Sequence, residues 1–302
     1  MRVAVAALAL TVLLVGAGCF GGSEESGPET LTRVVLEPTT ASTNEQLDAS
    51  VEIMRERLVS IDADNASVER DGERIVAIVP GNADRAVPLL IRRGLLEFFD
   101  LQGDLTKTSL DAQGFPRPST KPLSPGPNTV VVTCGPDARY CPGVNEVPRR
   151  RYFYLLKYYP RGKQPIPELT GDDLDREGTR QDFDTQTNEP IALVRFTETG
   201  AKKFEDVTRR LVERGRNLAN QQGLAGGFGN DAANQQFAIV FDRDMKSAPS
   251  VDFDDNPNGI PGDNGAQIVG ISKADAKDLA LLLETGALPT AFRVVSKEER
   301  HK

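Results

Sequence analysis

The chain has no tryptophan and a single histidine, His301, next to its last residue. One terminal imidazole leaves no general base to stand beside a serine or a thiol, so Ser-His-Asp and Cys-His arrangements are excluded. Zinc is excluded on ligand count, because Cys134 and Cys141 would be the only two thiolates in one place. Base is scarcer than acid: 36 Lys and Arg stand against 44 Asp and Glu, a net charge of −8, which removes the basic face that a nucleic-acid partner requires. No apolar run reaches the about 20 residues of a membrane span. The Gly-rich stretch Gly223 to Gly229 lacks the Gly-Lys-Ser/Thr ending of a phosphate cradle. Neighbouring carboxylates such as Asp172 and Asp173, or Asp254 and Asp255, read as solvated loop positions. What remains is a protein that is not an enzyme.

The longest apolar run, Val3 to Val15, follows Met1-Arg2 and precedes Gly16-Ala17-Gly18-Cys19. A positive start, a short apolar stretch and small residues before a cut site make a signal peptide over residues 1–18. Cys19 then holds the place of a lipid-bearing cysteine, and residues 19–30 (Gly, Ser and Glu) form a flexible tether. Two acyl chains on Cys19 would suffice for stable anchoring to the outer face of a cell membrane. Gly16 departs from the leucine usual three residues before such a cysteine, so an ordinary secretory signal or an uncleaved anchor helix stays open. Export puts Cys134 and Cys141 in an oxidising compartment, where two cysteines flanking a turn-rich Gly-Pro-Asp-Ala-Arg-Tyr stretch tend to pair.

Periodicity divides the rest. Leu47, Val51, Met54, Leu58 and Ile61 recur at helical spacing behind Ser42 and Thr43 as N-cap candidates. Around that helix, strands are expected at Thr32 to Glu37, Ala66 to Arg70, Arg74 to Val79 and Leu95 to Phe99, with a second helix over 84–93. The order β-α-β-β-α-β predicts an α+β fold with a ferredoxin-like sandwich over 31–101. Prolines crowd residues 102–168, which read as an insertion and linker whose strands Val130 to Thr133 and Tyr152 to Tyr159 pair around the cysteine turn. A second folded unit is expected over 169–296 and a tail over 297–302. Strand, Asp-bearing helix and glycine recur at Ile75 to Gly94 and Ile268 to Gly286, which favours a second ferredoxin-like sandwich, although this local solution is common enough to recur by chance.

Two stretches bear chemistry. Asp254, Asn256, Asn258 and Gly259 fit the opening of a calcium loop; its closing glutamate is absent, leaving Asp252 or Asp263 to substitute. The same residue types are also plain turn formers. Arg149 to Arg151 followed by Tyr152-Phe-Tyr-Leu-Leu-Lys-Tyr-Tyr159 suits anionic lipid or strand addition by an extended peptide, or a simple strand guarded by charge.

Gly265-Ala-Gln-Ile-Val-Gly270 and Asp275-Ala-Lys-Asp-Leu-Ala-Leu-Leu-Leu-Glu-Thr-Gly-Ala-Leu-Pro289 closely resemble the end of the first periplasmic domain of SecD, a membrane subunit of protein export. Phe196 to Phe204 resembles that family's start of the head helix, Phe237 to Asp242 with Ser247-Ala-Pro249 its central strand and turn, and Val51 to Glu97 its base. The resemblance implies a ferredoxin-like base carrying a SecD-type head at 169–296 that contacts exported polypeptide. It implies exported chains, the Sec channel and SecD-SecF-type membrane subunits as partners. The chain ends at Lys302, where the family's next membrane helix would begin, and the family's proton-coupled work lies in such helices. The expectation is therefore a lipid-tethered, polypeptide-contacting accessory without a proton route of its own, or else an envelope scaffold stiffened by calcium.

Overall fold

The computed structural model describes residues 30–81, 83–162, 164–221 and 233–301. The first strand, β1 (Thr30–Pro38), leads into α1 (Asn44–Val59). Thr43 caps that helix in a full capping box: its side chain accepts from Gln46 N while the Gln46 side chain accepts from Thr43 N. Leu47, Val51, Met54 and Leu58 are buried along one face, as their spacing predicts. Then come β2 (Ser67–Asp71), a tight turn through Gly72, β3 (Arg74–Pro80), α2 (Ala83–Ile91) and β4 (Leu96–Asp100). A one-turn helix, α3 (Leu101–Asp104), opens the insertion, which holds β5 (Thr129–Cys134) and β6 (Tyr152–Lys157). After it follow β7 (Leu169–Thr170), β8 (Leu174–Phe183), β9 (Pro190–Phe196), the long α4 (Glu198–Gln221), β10 (Gln235–Phe241), β11 (Asp244–Ser247), β12 (Ser250–Val251) and β13 (Ala266–Ile268). Helix α5 (Lys273–Thr285), capped by Ser272, and β14 (Phe292–His301) finish the chain.

These strands form three sheets in a mixed α+β fold. One has the order β14-β1-β3-β2, the second β6-β5-β11-β10-β4-β7 with β12 on β10, and the third β13-β9-β8. Two expectations fail here for one reason. Strand β4 forms where expected but pairs with β10, and β14 takes the place beside β1. Leu96, Glu97, Phe98 and Phe99 are all buried, so β4 needs cover on both faces. The large sheet supplies it, with β4 between β10 and β7: Phe98 joins the core of α4 and α5, and Phe99 the core of the insertion. Strand β14 has the opposite character, with Phe292 buried and charged residues along its length, and it suits a half-solvated edge. Residues 297–301, expected as a tail, continue that strand from Lys297 opposite Val34 to His301 opposite Thr30. Nor do the later strands close a second sandwich, for β9 and β13 lie in the small sheet, β10 in the large one and β14 in the first.

The insertion is a structural member and not a spacer. Strands β5 and β6 pair antiparallel as expected, from Cys134 opposite Tyr152 to Thr129 opposite Lys157. Strand β5 also meets β11, and Val132, Tyr154 and Leu156 share a core with Phe99, Leu101 and Val240. Helices α1, α2 and α5 meet at one buried cation. The Arg57 guanidinium, from α1, donates to the carbonyls of Leu89 (2.8 Å), Arg92 and Arg93 at the end of α2, and to Gly286 O (2.8 Å) and Thr285 Oγ1 at the end of α5. Two helix C-termini, with their orphan carbonyls and negative dipole ends, are thus closed by one side chain. Gly94 is required there: its φ is +75° and a Cβ would lie 2.9 Å from Arg57 Nη2. The glycines that echo each other in the sequence are brought together at this point.

Candidate functional site

Helix α4 carries the features of a binding face. Its inner side buries Phe204, Val207, Leu211 and Val212 against β9 and β10, where Phe204 meets the Phe237 ring edge-on at 5.2 Å and Phe237 stacks on Phe98 at 5.4 Å. Lys203, Arg210, Arg214, Asn217, Leu218 and Gln221 recur at intervals of seven, four, three, one and three, which sets them along a single stripe of the helix. That stripe faces the insertion across two clefts that share Arg210. One, of about 500 Å³, is lined by Leu110, Phe115 and Leu218 with Gln102 and Gln235. The other, of about 620 Å³, runs between Lys203 and Arg210 on one wall and Tyr159, Pro165, Ile166 and Glu168 on the other. Together they form a groove along α4 with an apolar floor.

Ion pairs hold its walls. Lys203 meets Asp173 at 2.7 Å, Arg210 pairs with Glu168, and Arg214 pairs with Asp100 while donating to Gln235 Oε1 at 2.8 Å. Asp104, at the end of α3, is crowded by this arrangement. Burial, then the nearby Asp100 and Glu168 carboxylates, push its pKa up to about 7, against the opposing Lys157 ammonium. Lys157 Nζ itself donates to Gly103 O at 2.8 Å. A groove with an apolar floor, fixed polar walls and unsatisfied length suits an extended chain whose alternate side chains enter pockets. A further cleft of about 440 Å³ lies between the cysteine turn and α5, but its walls mix Arg92 and Lys246 with Asp137, Asp244 and Asp275 and have no dominant chemistry.

The residues singled out from sequence fare unevenly. Cys19 and the Gly223 to Gly229 stretch lie outside the described residues. The Sγ atoms of Cys134 and Cys141 are 1.94 Å apart, with Cα atoms at 5.9 Å, the spacing of a disulfide. Among the described residues no three His, Cys, Asp or Glu side chains converge to hold a metal, Asp252, Asp254 and Asp263 included. Asp252 instead accepts the backbone N–H groups of Asp254 (2.8 Å) and Asp255 (3.0 Å), and Asn256 turns its amide back to Asp252 O. Those amides hold the Asp252 carboxyl below its usual range. The glycine of the motif has another use. At Gly259, with φ +90°, a Cβ would stand 2.8 Å from Glu205 O, so the loop lies directly on the α4 backbone, and Thr208 Oγ1 receives Ile260 N. Asn258 and Asp263 belong to the same packed loop, Asp263 through a carbonyl that accepts from Arg195. Sequence reasoning missed the α4 groove; the pair Arg210 and Arg214, one turn apart, was visible, but their partners Glu168 and Asp100 lie far off in the sequence and were not.

Residues 160–290 match the family model described as SecDF, P1 head subdomain. The chain is similar to protein translocase subunit SecD of Acidaminococcus fermentans, 25% identical over 272 residues, which cover 87% of this chain and 43% of that protein. It is also similar to protein translocase subunit SecDF of Thermus thermophilus, 27% identical over 271 residues, 87% of this chain and 29% of that one. The chain thus spans less than half the length of these curated relatives. Among solved structures, a SecDF membrane component that enhances protein export gives a TM-score of 0.55 at 24% identity, covering 87% of this chain and 98% of that one. SecDF in its super-membrane-facing form gives 0.58 at 22% identity, with 93% and 32% covered. These two likenesses speak for the fold.

Proposed function

We propose, from the premise that this chain resembles the first periplasmic domain of SecD, base and head together, that it binds extended polypeptide as an accessory of Sec-dependent export on the outer face of a cell membrane. The α4 groove carries the reading. Its Leu110, Phe115, Leu218 and Ile166 side chains offer apolar contact to a passing chain, while exposed Gln113 offers hydrogen bonds to its backbone. In this reading the four-stranded sheet acts as a ferredoxin-like base, Cys19 bears a lipid that holds the protein at the bilayer, and the work on protons belongs to SecD-SecF-type membrane partners. Among the described residues no helix is long and apolar enough to cross a membrane.

Photo-crosslinking tests the groove. A crosslinker at Phe115 or Leu218 is expected to capture a stalled translocating chain, whereas one at Glu69, exposed on β2, is not. Capture from both faces alike, or of cell-wall components alone, would remove the export reading in favour of an envelope scaffold. Mass spectrometry of the mature N-terminus tests the anchor, with an acylated Cys19 expected.

A further inference from the structure

The charge of this chain is not evenly spread. Between residues 112 and 167 there are nine Lys and Arg against two Asp and Glu, a net of +7 that leaves −15 on the remainder of a chain totalling −8. This basic lobe precedes almost all of the segment that matches the head family model. Most cations elsewhere are spent on carboxylates, as along α4. Here Arg117, Lys121, Arg149, Arg150 and Arg151 enter none of the ion pairs among the described residues.

The fold gathers these five cations at one end of the β5–β6 hairpin. Arg149 to Arg151 run into β6, and Ser119 bridges Phe153 antiparallel, which brings Lys121 level with Arg151. Arg117 lines a notch of about 430 Å³ together with Gly143, Val144 and Tyr152. The lobe's two acids are Glu146, in that notch, and Asp137, on the cysteine turn. Apolar surface accompanies the charge: Val147, two residues before Arg149, is 70% exposed. Like charges left together cost folding free energy, and a polyanion offsets that cost. A folded acidic partner would match the charge alone. Arginines that bind phosphate in a two-point fork, two residues after an exposed valine, match the boundary between phosphate headgroups and acyl chains.

We infer that the arginine-rich end of the insertion is a peripheral membrane-docking surface that binds anionic phospholipid headgroups. It is a second attachment, independent of any lipid on Cys19, and it turns one face of the insertion toward the bilayer. The inference shares with the proposed function only its place beside a membrane, so loss of polypeptide capture would leave it untouched.

The test uses the full chain carrying Cys19→Ser, which cannot be acylated, and sedimentation with vesicles of phosphatidylcholine with or without phosphatidylglycerol. Any contribution of the apolar N-terminal stretch is common to both vesicle types. Binding is expected to be stronger with phosphatidylglycerol, and that excess is expected to vanish between about 0.1 and 0.5 M salt. The triple variant Arg149→Ala, Arg150→Ala, Arg151→Ala should lower partition to the anionic vesicles on the order of 100-fold, with no loss of thermal stability, because the three side chains are exposed and their mutual repulsion is relieved. The corresponding triple lysine variant should keep most of the binding. Equal binding to both vesicle types, or an alanine variant that binds as well as the parent, would overturn the inference. So would salt-sensitive binding to polyglutamate with none to anionic vesicles, which would identify an acidic polypeptide as the partner.

Discussion

Arg57 is fully buried, and burial drags its pKa down to about 10, because its five hydrogen-bond partners are carbonyls and a hydroxyl in place of a carboxylate. Replacing it by leucine keeps volume and removes every donor. Arg57→Leu is expected to cost about 3 kcal/mol or more in chemical denaturation, since the ends of α2 and α5 are left with unpaired acceptors. Arg57→Lys should recover only part of that. Asp104 has the reverse problem, a carboxyl whose ionised form is opposed by burial and by Asp100 and Glu168. With a folded pKa of about 7, above the ordinary value of 3.8, the folded state holds the proton longer than the unfolded chain. Stability therefore falls as pH rises from about 4 to 7 and stays low above that. Asp104→Asn should raise the melting temperature at pH 8, by roughly 1–3 kcal/mol of stability, and should do nothing at pH 3.5. A pH-independent effect of that variant would sink the electrostatic account of the groove.

At the scale of elements, the hairpin β5–β6 and its turn stand or fall together. Cys134 and Cys141 are both fully buried in the insertion core, and the Tyr154 hydroxyl donates to Pro142 O at 2.7 Å just beyond the turn. Closing this short loop is expected to contribute about 2.5 kcal/mol through the unfolded state. The Cys134→Ser, Cys141→Ser pair should show that loss, and reductant should produce it in the parent but not in the variant. Identical denaturation curves with and without reductant would mean that the two thiols are not joined. The helices behave differently, for α1 was readable down to its cap while α4 was readable only on its buried face. An apolar stripe announces itself by period, whereas Lys203, Arg210 and Arg214 acquire meaning from Asp173, Glu168 and Asp100, which the chain places far away.

Taken whole, the molecule is knit by exchange. Strand β4 leaves the first sheet for β10, and β14 returns from the far end of the chain to pair with β1 over its full length. Leu95 N donates to the Asp242 carboxylate at 2.8 Å, a further tie where β4 meets β10. Buried Glu97 on β4 meets Arg243 at 2.6 Å, and that arginine lies over the Tyr158 ring of the insertion at 4.5 Å. A fragment ending at residue 101 keeps β3 beside β1 but lacks β14, the other neighbour of β1, and both partners of β4. It is expected to give no cooperative unfolding transition, measured by circular dichroism against urea. A sharp transition in the fragment would show that Leu96 to Phe99 can close the first sheet on their own.

Local order was legible in the sequence because it depends on neighbours: the helix period of Leu47 to Leu58, the turn at Asp71-Gly72 and the hairpin around the cysteines. The likeness to SecD was legible too, in a run of residues from Asp275 to Pro289. Partnership between distant segments was not. The run Leu96 to Phe99 reads as a strand in either sheet, and only two-sided burial decides that it belongs in the larger one. Asp252, Asn256 and Gly259 read as ligands or as a turn, and what only the packed chain adds is the α4 backbone lying 2.8 Å from the place where a side chain on Gly259 would stand. The groove along α4 was decided last of all, because its floor and walls come from segments that meet only once the sheets are packed.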